Sequence, residues 1–274
     1  MEGINDSLNP TGIFSSLIKH QSLVRQLAKR EVSSRYRGSV MGFFWTLLNP
    51  LLMLTIYTLI FGYVFKARWG DMNLGDGSFA LTLFCGLIVH GMFAECINRA
   101  PVLITGNVNY VKKVVFPIEI LPWVTIYAAV FHTLMSLAVL TVFNFLVNGS
   151  VPITILWLPV VFFPYILFLV GCLWLFSALG VFLSDIKQLM GVLTTALLFL
   201  SPVFYPISAL PESMQVLIYL NPLTLIIEQS REIFLWGHAP DFKLLFIYSL
   251  VALMIAIIGF AWFQKSRRGF ADVL

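Results

Sequence analysis

The sequence predicts an all-α, polytopic membrane protein of six transmembrane helices, and three observations predict it. Of 274 residues, 59% are hydrophobic and 11% charged, with a mean hydropathy of +0.91, whereas a soluble domain carries roughly 25% charged residues. The apolar residues arrive in blocks of about 20, the length at which a helix crosses a hydrocarbon core while satisfying its own backbone. Finally, the basic residues are sorted onto alternate connectors between those blocks.

Residues 1–39 form the first segment. Phe14, Leu17, Ile18, Val24, Leu27, Ala28 and Val32 recur at helical spacing, with Lys19, Gln26, Lys29, Arg30 and Ser33 on other faces, which predicts a basic amphipathic helix. Two readings stand: it rests on anionic lipid, or it also docks a cytoplasmic partner. The first long apolar block begins only near Val40, so no cleavable leader is expected. Residues 40–265 form one membrane domain, with spans expected near Val40–Phe65, Phe79–Ile97, Ile120–Leu146, Ile155–Leu183, Leu189–Tyr205 and Leu244–Phe263. Pro50 leaves the Thr46 carbonyl of the first span without its donor and favours a kink. Thr46, Asn49, Met53 and Tyr57 share a face there, and polar groups turned to lipid are costly, so this face meets either protein or a water-filled path.

The connector 98–119, with Pro101, Gly106, Lys112 and Lys113, is larger than a turn requires. The connector before the fifth span is short, and Ser184 or Asp185 is placed to cap the next helix. Thr194, Ser201 and Tyr205 form a second mildly polar stripe on that span. Segment 207–241 is apolar yet divided by prolines. One short helix is expected from Pro211-Glu212 to just before Asn221-Pro222, and a second from about Leu223 to Trp236, ending at Gly237 and carrying Glu228, Arg231 and Glu232. Two short re-entrant helices in the outer leaflet account for both the apolarity and the breaks, with a small external cap as the alternative. Residues 266–274 remain as a cytoplasmic tail.

Lys19, Arg25, Lys29, Arg30, Arg35, Arg37, Arg99, Lys112, Lys113, Lys187, Lys265, Arg267 and Arg268 fall on one side of these spans; Lys66, Arg68, Arg231 and Lys243 fall on the other. The positive-inside rule then puts both termini in the cytoplasm, in agreement with an even number of crossings. The basic pI near 9.0 therefore reflects topology, and no nucleic-acid partner is expected.

Catalytic and metal motifs are not found. His20, His90, His132 and His238 have no ligand spacing, and Cys85, Cys96 and Cys172 read as packing residues. A phosphate-binding loop ending in Lys-Ser/Thr is missing, so no cofactor is expected on this chain and any ATP dependence needs another polypeptide. Glu95 precedes Arg99 by one helical turn in the favourable order, which predicts a structural ion pair.

The run from Ser34 through Arg35, Tyr36, Gly38, Trp45 and Asn49-Pro50 to Phe61-Gly62, followed by Lys112-Lys113, Phe116-Pro117, Pro122, Ser184 to Gln188, Ser201 to Pro206 and Asn221-Pro222, resembles the membrane subunit of polysaccharide ABC exporters over nearly the whole chain. Ser184 stands where many relatives carry Arg. The resemblance implies a homodimeric permease of the bacterial inner membrane, working with two ATP-binding cassette subunits that hold the ATP and Mg. It further implies outward transport of a lipid-linked polysaccharide, O-antigen first, with teichoic acid or capsule as alternatives and an ion-coupled carrier as a more distant one. By position it makes the segment with Leu17, Val24, Arg25, Leu27, Lys29 and Arg30 an interface helix. The stretch containing Val102, Ile104, Tyr110, Lys112 and Lys113 becomes the coupling loop, and the two external helices become gates. Tyr57, Phe61, Phe199 and Tyr205 are candidate sugar contacts along a path that two protomers enclose.

Overall fold

A computed structural model describes residues 11–60, 78–112 and 116–274. Twelve α-helices lie among the described residues: α1 (Thr11–Lys19), α2 (Gln21–Arg35), α3 (Trp45–Tyr57), α4 (Ser78–Arg99), α5 (Val108–Lys112), α6 (Leu121–Asn148), α7 (Leu158–Phe182), α8 (Ile186–Leu200), α9 (Glu212–Leu220), α10 (Pro222–Arg231), α11 (Phe242–Ser266) and α12 (Phe270–Val273). No strand occurs among them.

Five stretches are long and apolar enough to cross a membrane: Gly42–Ile60, Phe79–Val102, Ile118–Asn148, Ile153–Phe182 and Phe242–Val273. The fifth expected span, Leu189–Tyr205, is instead the 15-residue α8, about 22 Å long at 1.5 Å per residue and so shorter than a hydrocarbon core of roughly 30 Å. Pro202 disfavours helical geometry in the residue before it, and Ser201 is accordingly extended (φ −98°, ψ 154°). The expected Ser184 or Asp185 cap is also not formed: Asp185 sits at the N-cap position without a side-chain bond to the helix and accepts instead from the Ser184 hydroxyl.

Helix α4 is the centre of the bundle. Of its apolar stretch 78% is buried, against 17% for the first, and α3, α6, α7, α8 and α10 all pack around it. Tyr165 of α7 donates to the Val89 carbonyl at 2.8 Å, and His90 donates from Nε2 to the Thr194 carbonyl of α8 at 2.9 Å. The largest helix contact joins α7 and α11, and it depends on small residues. A Cβ on Gly171 would lie 2.7 Å from the Ala256 Cα, and one on Gly259 would collide with the Gly171 carbonyl. Small residues at a membrane helix crossing let backbones approach and gain dispersion contacts where no hydrophobic driving force operates.

The N-terminal pattern forms two helices, broken at His20 (φ −112°, ψ 23°). The apolar face of α2 lies on α6, burying Val24 and Ala28. At the other end of the chain the tail is docked: Phe270 is fully buried against Phe182 and Phe263. Arg267 donates to Glu119 at 2.9 Å, and Trp174 Nε1 donates to the Glu119 carbonyl. Cys85, Cys96 and Cys172 are buried free thiols.

Candidate functional site

Polar contacts gather at the basic end of the bundle, where α2 lies across its neighbours. Arg30 donates to the Tyr110 hydroxyl of α5 at 2.8 Å, and Tyr110 in turn stacks on Phe116 at 4.3 Å between ring centroids. One residue on, Glu31 pairs with Arg99 at the end of α4. One turn further, Arg35 donates to Glu95 Oε1 at 2.7 Å, and His132 Nδ1 of α6 approaches the same carboxylate at 3.0 Å. A protonated Nδ1 donates there. Three successive contacts thus fasten the amphipathic helix to the connector and to α4, and His132 joins α6 to the last of them through Glu95.

This arrangement corrects the expected Glu95–Arg99 pair. The two residues share a face of α4, but each takes its partner from α2, which supplies Arg35 to one and Glu31 to the other. A correction also applies to Val24 and Ile104, expected at a partner-facing surface: both are completely buried in the chain's own core. An amphipathic helix that covers its own bundle has already spent its apolar face, leaving its polar face for other contacts. Arg25, Lys29, Arg30 and Lys112 are exposed, Val102 is exposed, and Leu17, Leu27 and Tyr110 are half-buried. Lys113 lies outside the described residues.

A cavity of about 380 Å³ opens beside Glu95. Thr46, Asn49, Met53 and Tyr57 line it from α3, facing His90 and Gly91 of α4 and Thr133 and Ser136 of α6. The polar face of the first span therefore borders a partly open cavity together with other polar side chains. Thr46 is nearly closed off, its hydroxyl donating to the Phe43 carbonyl, while Asn49 and Met53 are exposed. Phe61 lies outside the described residues.

The second predicted stripe is divided. Thr194 is buried and donates to Asn98 Oδ1 at 3.2 Å, so it packs α8 onto α4. Ser201 is also buried, donating to the Leu197 carbonyl. Phe199 is 61% exposed and borders a separate groove with Lys187, Gly191 and Thr195. Tyr205 donates to the Phe199 carbonyl at 2.8 Å. Of α8, only Leu198 lines the cavity beneath α3, so within one chain the two stripes do not enclose a common space.

At the opposite end, α9 lies between Pro211 and Asn221 and α10 starts at Asn221-Pro222 as expected, but α10 ends at Arg231 and the chain continues through Glu232–Trp236 as a π-helical turn that stops at Gly237 (φ 71°). Glu228 pairs with Arg231 at 2.7 Å, and Glu232 with His238 at 2.6 Å. Arg231 is completely buried. His132 and Asn98 were not singled out from the sequence: nothing in spacings of 37 and 96 residues to their partners marks them. Asn221 carried a readable signal, since Asn before Pro starts a helix, and its side chain caps α10 through the Leu223 amide.

Residues 22–235 match the family described as ABC-2 type transporter. Among similar proteins, the "O-antigen export system permease protein RfbA" of Klebsiella pneumoniae is 26% identical over 249 residues, covering 90% of this chain and 93% of its own. The protein of the same name from Myxococcus xanthus is 26% identical over 258 residues, covering 93% and 96%. The "Polysialic acid transport protein KpsM" of Escherichia coli is 26% identical over 249 residues, covering 88% and 92%.

Proposed function

Because this chain belongs to the ABC-2 type transporter family, we propose that it is the transmembrane subunit of an ATP-driven exporter that moves a lipid-linked polysaccharide of the O-antigen kind across the bacterial inner membrane. The observation that carries the reading is collinearity: relatives named for polysaccharide export align with about nine-tenths of this chain and of their own length. A capsular polysaccharide is the second reading, favoured by the relatives named for polysialic acid and capsule export.

In this reading two copies of the chain pair with two ATP-binding cassette subunits that hold ATP and Mg. The exposed basic face of α2, with Arg25 and Lys29, and the end of α5 at Lys112 receive the motor. The contacts Arg30 to Tyr110, Glu31 to Arg99 and Arg35 to Glu95 carry its stroke into α4 and α6, because short charge-assisted hydrogen bonds resist stretching more than apolar contacts do. Six crossings with both termini in the cytoplasm are completed by α8 and the turn after it, and α9 and α10 re-enter the outer leaflet. Two protomers juxtapose the α3 cavity face and the Phe199 face of α8 around the glycan, whose C–H surfaces suit aromatic rings. A strain lacking this chain should accumulate lipid-linked polymer inside the cell and display none, with display restored by the intact gene. Normal surface polymer in that strain would overturn the proposal.

A further inference from the structure

The outer end of α8 ends early, and the backbone groups released there are taken up by one short helix. Asn221, at the start of α10, donates to the Leu200 carbonyl at 3.1 Å and to the Ser201 hydroxyl at 2.9 Å. Arg231, at the end of α10, donates from Nη2 to the Val203 carbonyl at 3.2 Å and from Nε to the Thr82 carbonyl of α4 at 3.1 Å. Its remaining nitrogen, Nη1, meets Glu228. Thus α10 grips the turn after α8 at both of its own ends and is anchored to the central helix by the second grip. The site is shaped for the guanidinium: a Cβ on Gly86 would stand 3.0 Å from Arg231 Nη2 and 3.4 Å from the Val203 Cα, so glycine at 86 leaves the space that the cation fills.

A fully buried cation is costly unless every donor is paired, and a hydrophobic residue would hold a static corner at lower cost. Directional bonds to backbone carbonyls add what apolar packing lacks, a fixed register between three elements. We infer that Arg231 is a positioning residue of the outer gate: with Asn221 it ties α10 to the turn after α8, so that the external helix and the outer end of that span move as one body. The turn holds Phe204, stacked on Phe199 at 5.7 Å, and Tyr205, bonded to the Phe199 carbonyl. Fixing the turn therefore fixes the aromatic edge that the transported glycan meets. This role rests on the proposed export function; the tie itself does not.

The test uses the assembled exporter with its ATP-binding subunits, spin-labelled at Leu200→Cys and Leu225→Cys, on Arg231, Arg231→Lys, Arg231→Met and Asn221→Leu backgrounds. Distances are read without nucleotide and with ATP trapped, and export is measured beside ATP hydrolysis. A single narrow separation, unchanged between the two states, is expected with Arg231. The separation broadens in Arg231→Met and Asn221→Leu and is partly restored in Arg231→Lys, and export per ATP falls at least tenfold in Arg231→Met. Equal, narrow separations in all four proteins would overturn the tie. Broadened separations with undiminished export per ATP would overturn its role in the gate. If Arg231→Met does not assemble, Asn221→Leu, which strands no buried cation, decides the tie by the same separation and the gate by the same ratio. A chain that supports no glycan export on any background refutes the export reading while the distances still judge the tie.

Discussion

Glu95 illustrates how a single carboxylate is claimed by whichever donors the fold brings to it. Arg35 and His132 reach it from α2 and α6, while Arg99, one turn along the same helix, is occupied by Glu31. Replacing Glu95 with Gln should destabilise the protein by about 1.5–3 kcal/mol, the scale of hydrogen bonds to charged groups, seen as a lower thermal unfolding midpoint in detergent. A double-mutant cycle between Arg35 and Glu95 should give a coupling of at least about 0.5 kcal/mol, whereas one between Glu95 and Arg99 should stay near zero. A larger coupling in the second cycle would restore the intrahelical pair. At Gly171, where an added Cβ falls 2.7 Å from the Ala256 Cα, Gly171→Val should cost about 1–3 kcal/mol or more through overpacking, read by the same unfolding measurement.

Among elements, α9 and the start of α10 were the most legible in the sequence, because Pro211, Asn221-Pro222 and Gly237 act through local backbone geometry that needs no partner. The short α8 follows from a rule of the same kind, the restriction imposed by Pro202 on Ser201, but there a continuous apolar pattern masked the stop. Periodicity showed that α2 has an apolar face and left open what covers it; α6 covers it, so Val24 lies inside. The contacts of α2 join residues as far apart as Arg30 and Tyr110, and no spacing in one sequence encodes such a pairing. If α2 and α5 transmit the motor's stroke, exchanging Lys112 and Lys113 for Glu should leave membrane insertion and ATP hydrolysis in place while export falls at least tenfold. Ala28→Pro, which costs roughly 3 kcal/mol within a helix, should uncouple the exporter in the same way. Coupled export at the normal rate in both variants would remove these elements from the transmission path.

For the whole molecule, the proposed function has a membrane-spanning helical bundle move a glycan on work done by a separate ATPase. The apolar stretches and the sorting of basic connectors made the membrane bundle readable, whereas its cavities depend on how helices cross and could not be read. If the proposed six crossings hold, reporter fusions at each end should place both termini on the same side, and the basic connectors make it the cytoplasmic one. The most direct measurement reconstitutes this chain in sealed vesicles with its ATP-binding subunits and follows a lipid-linked polysaccharide across the bilayer. Transport should require hydrolysable ATP and both kinds of subunit, and should stop when either is omitted. Transport by this chain alone, driven by an ion gradient and indifferent to ATP, would contradict the account.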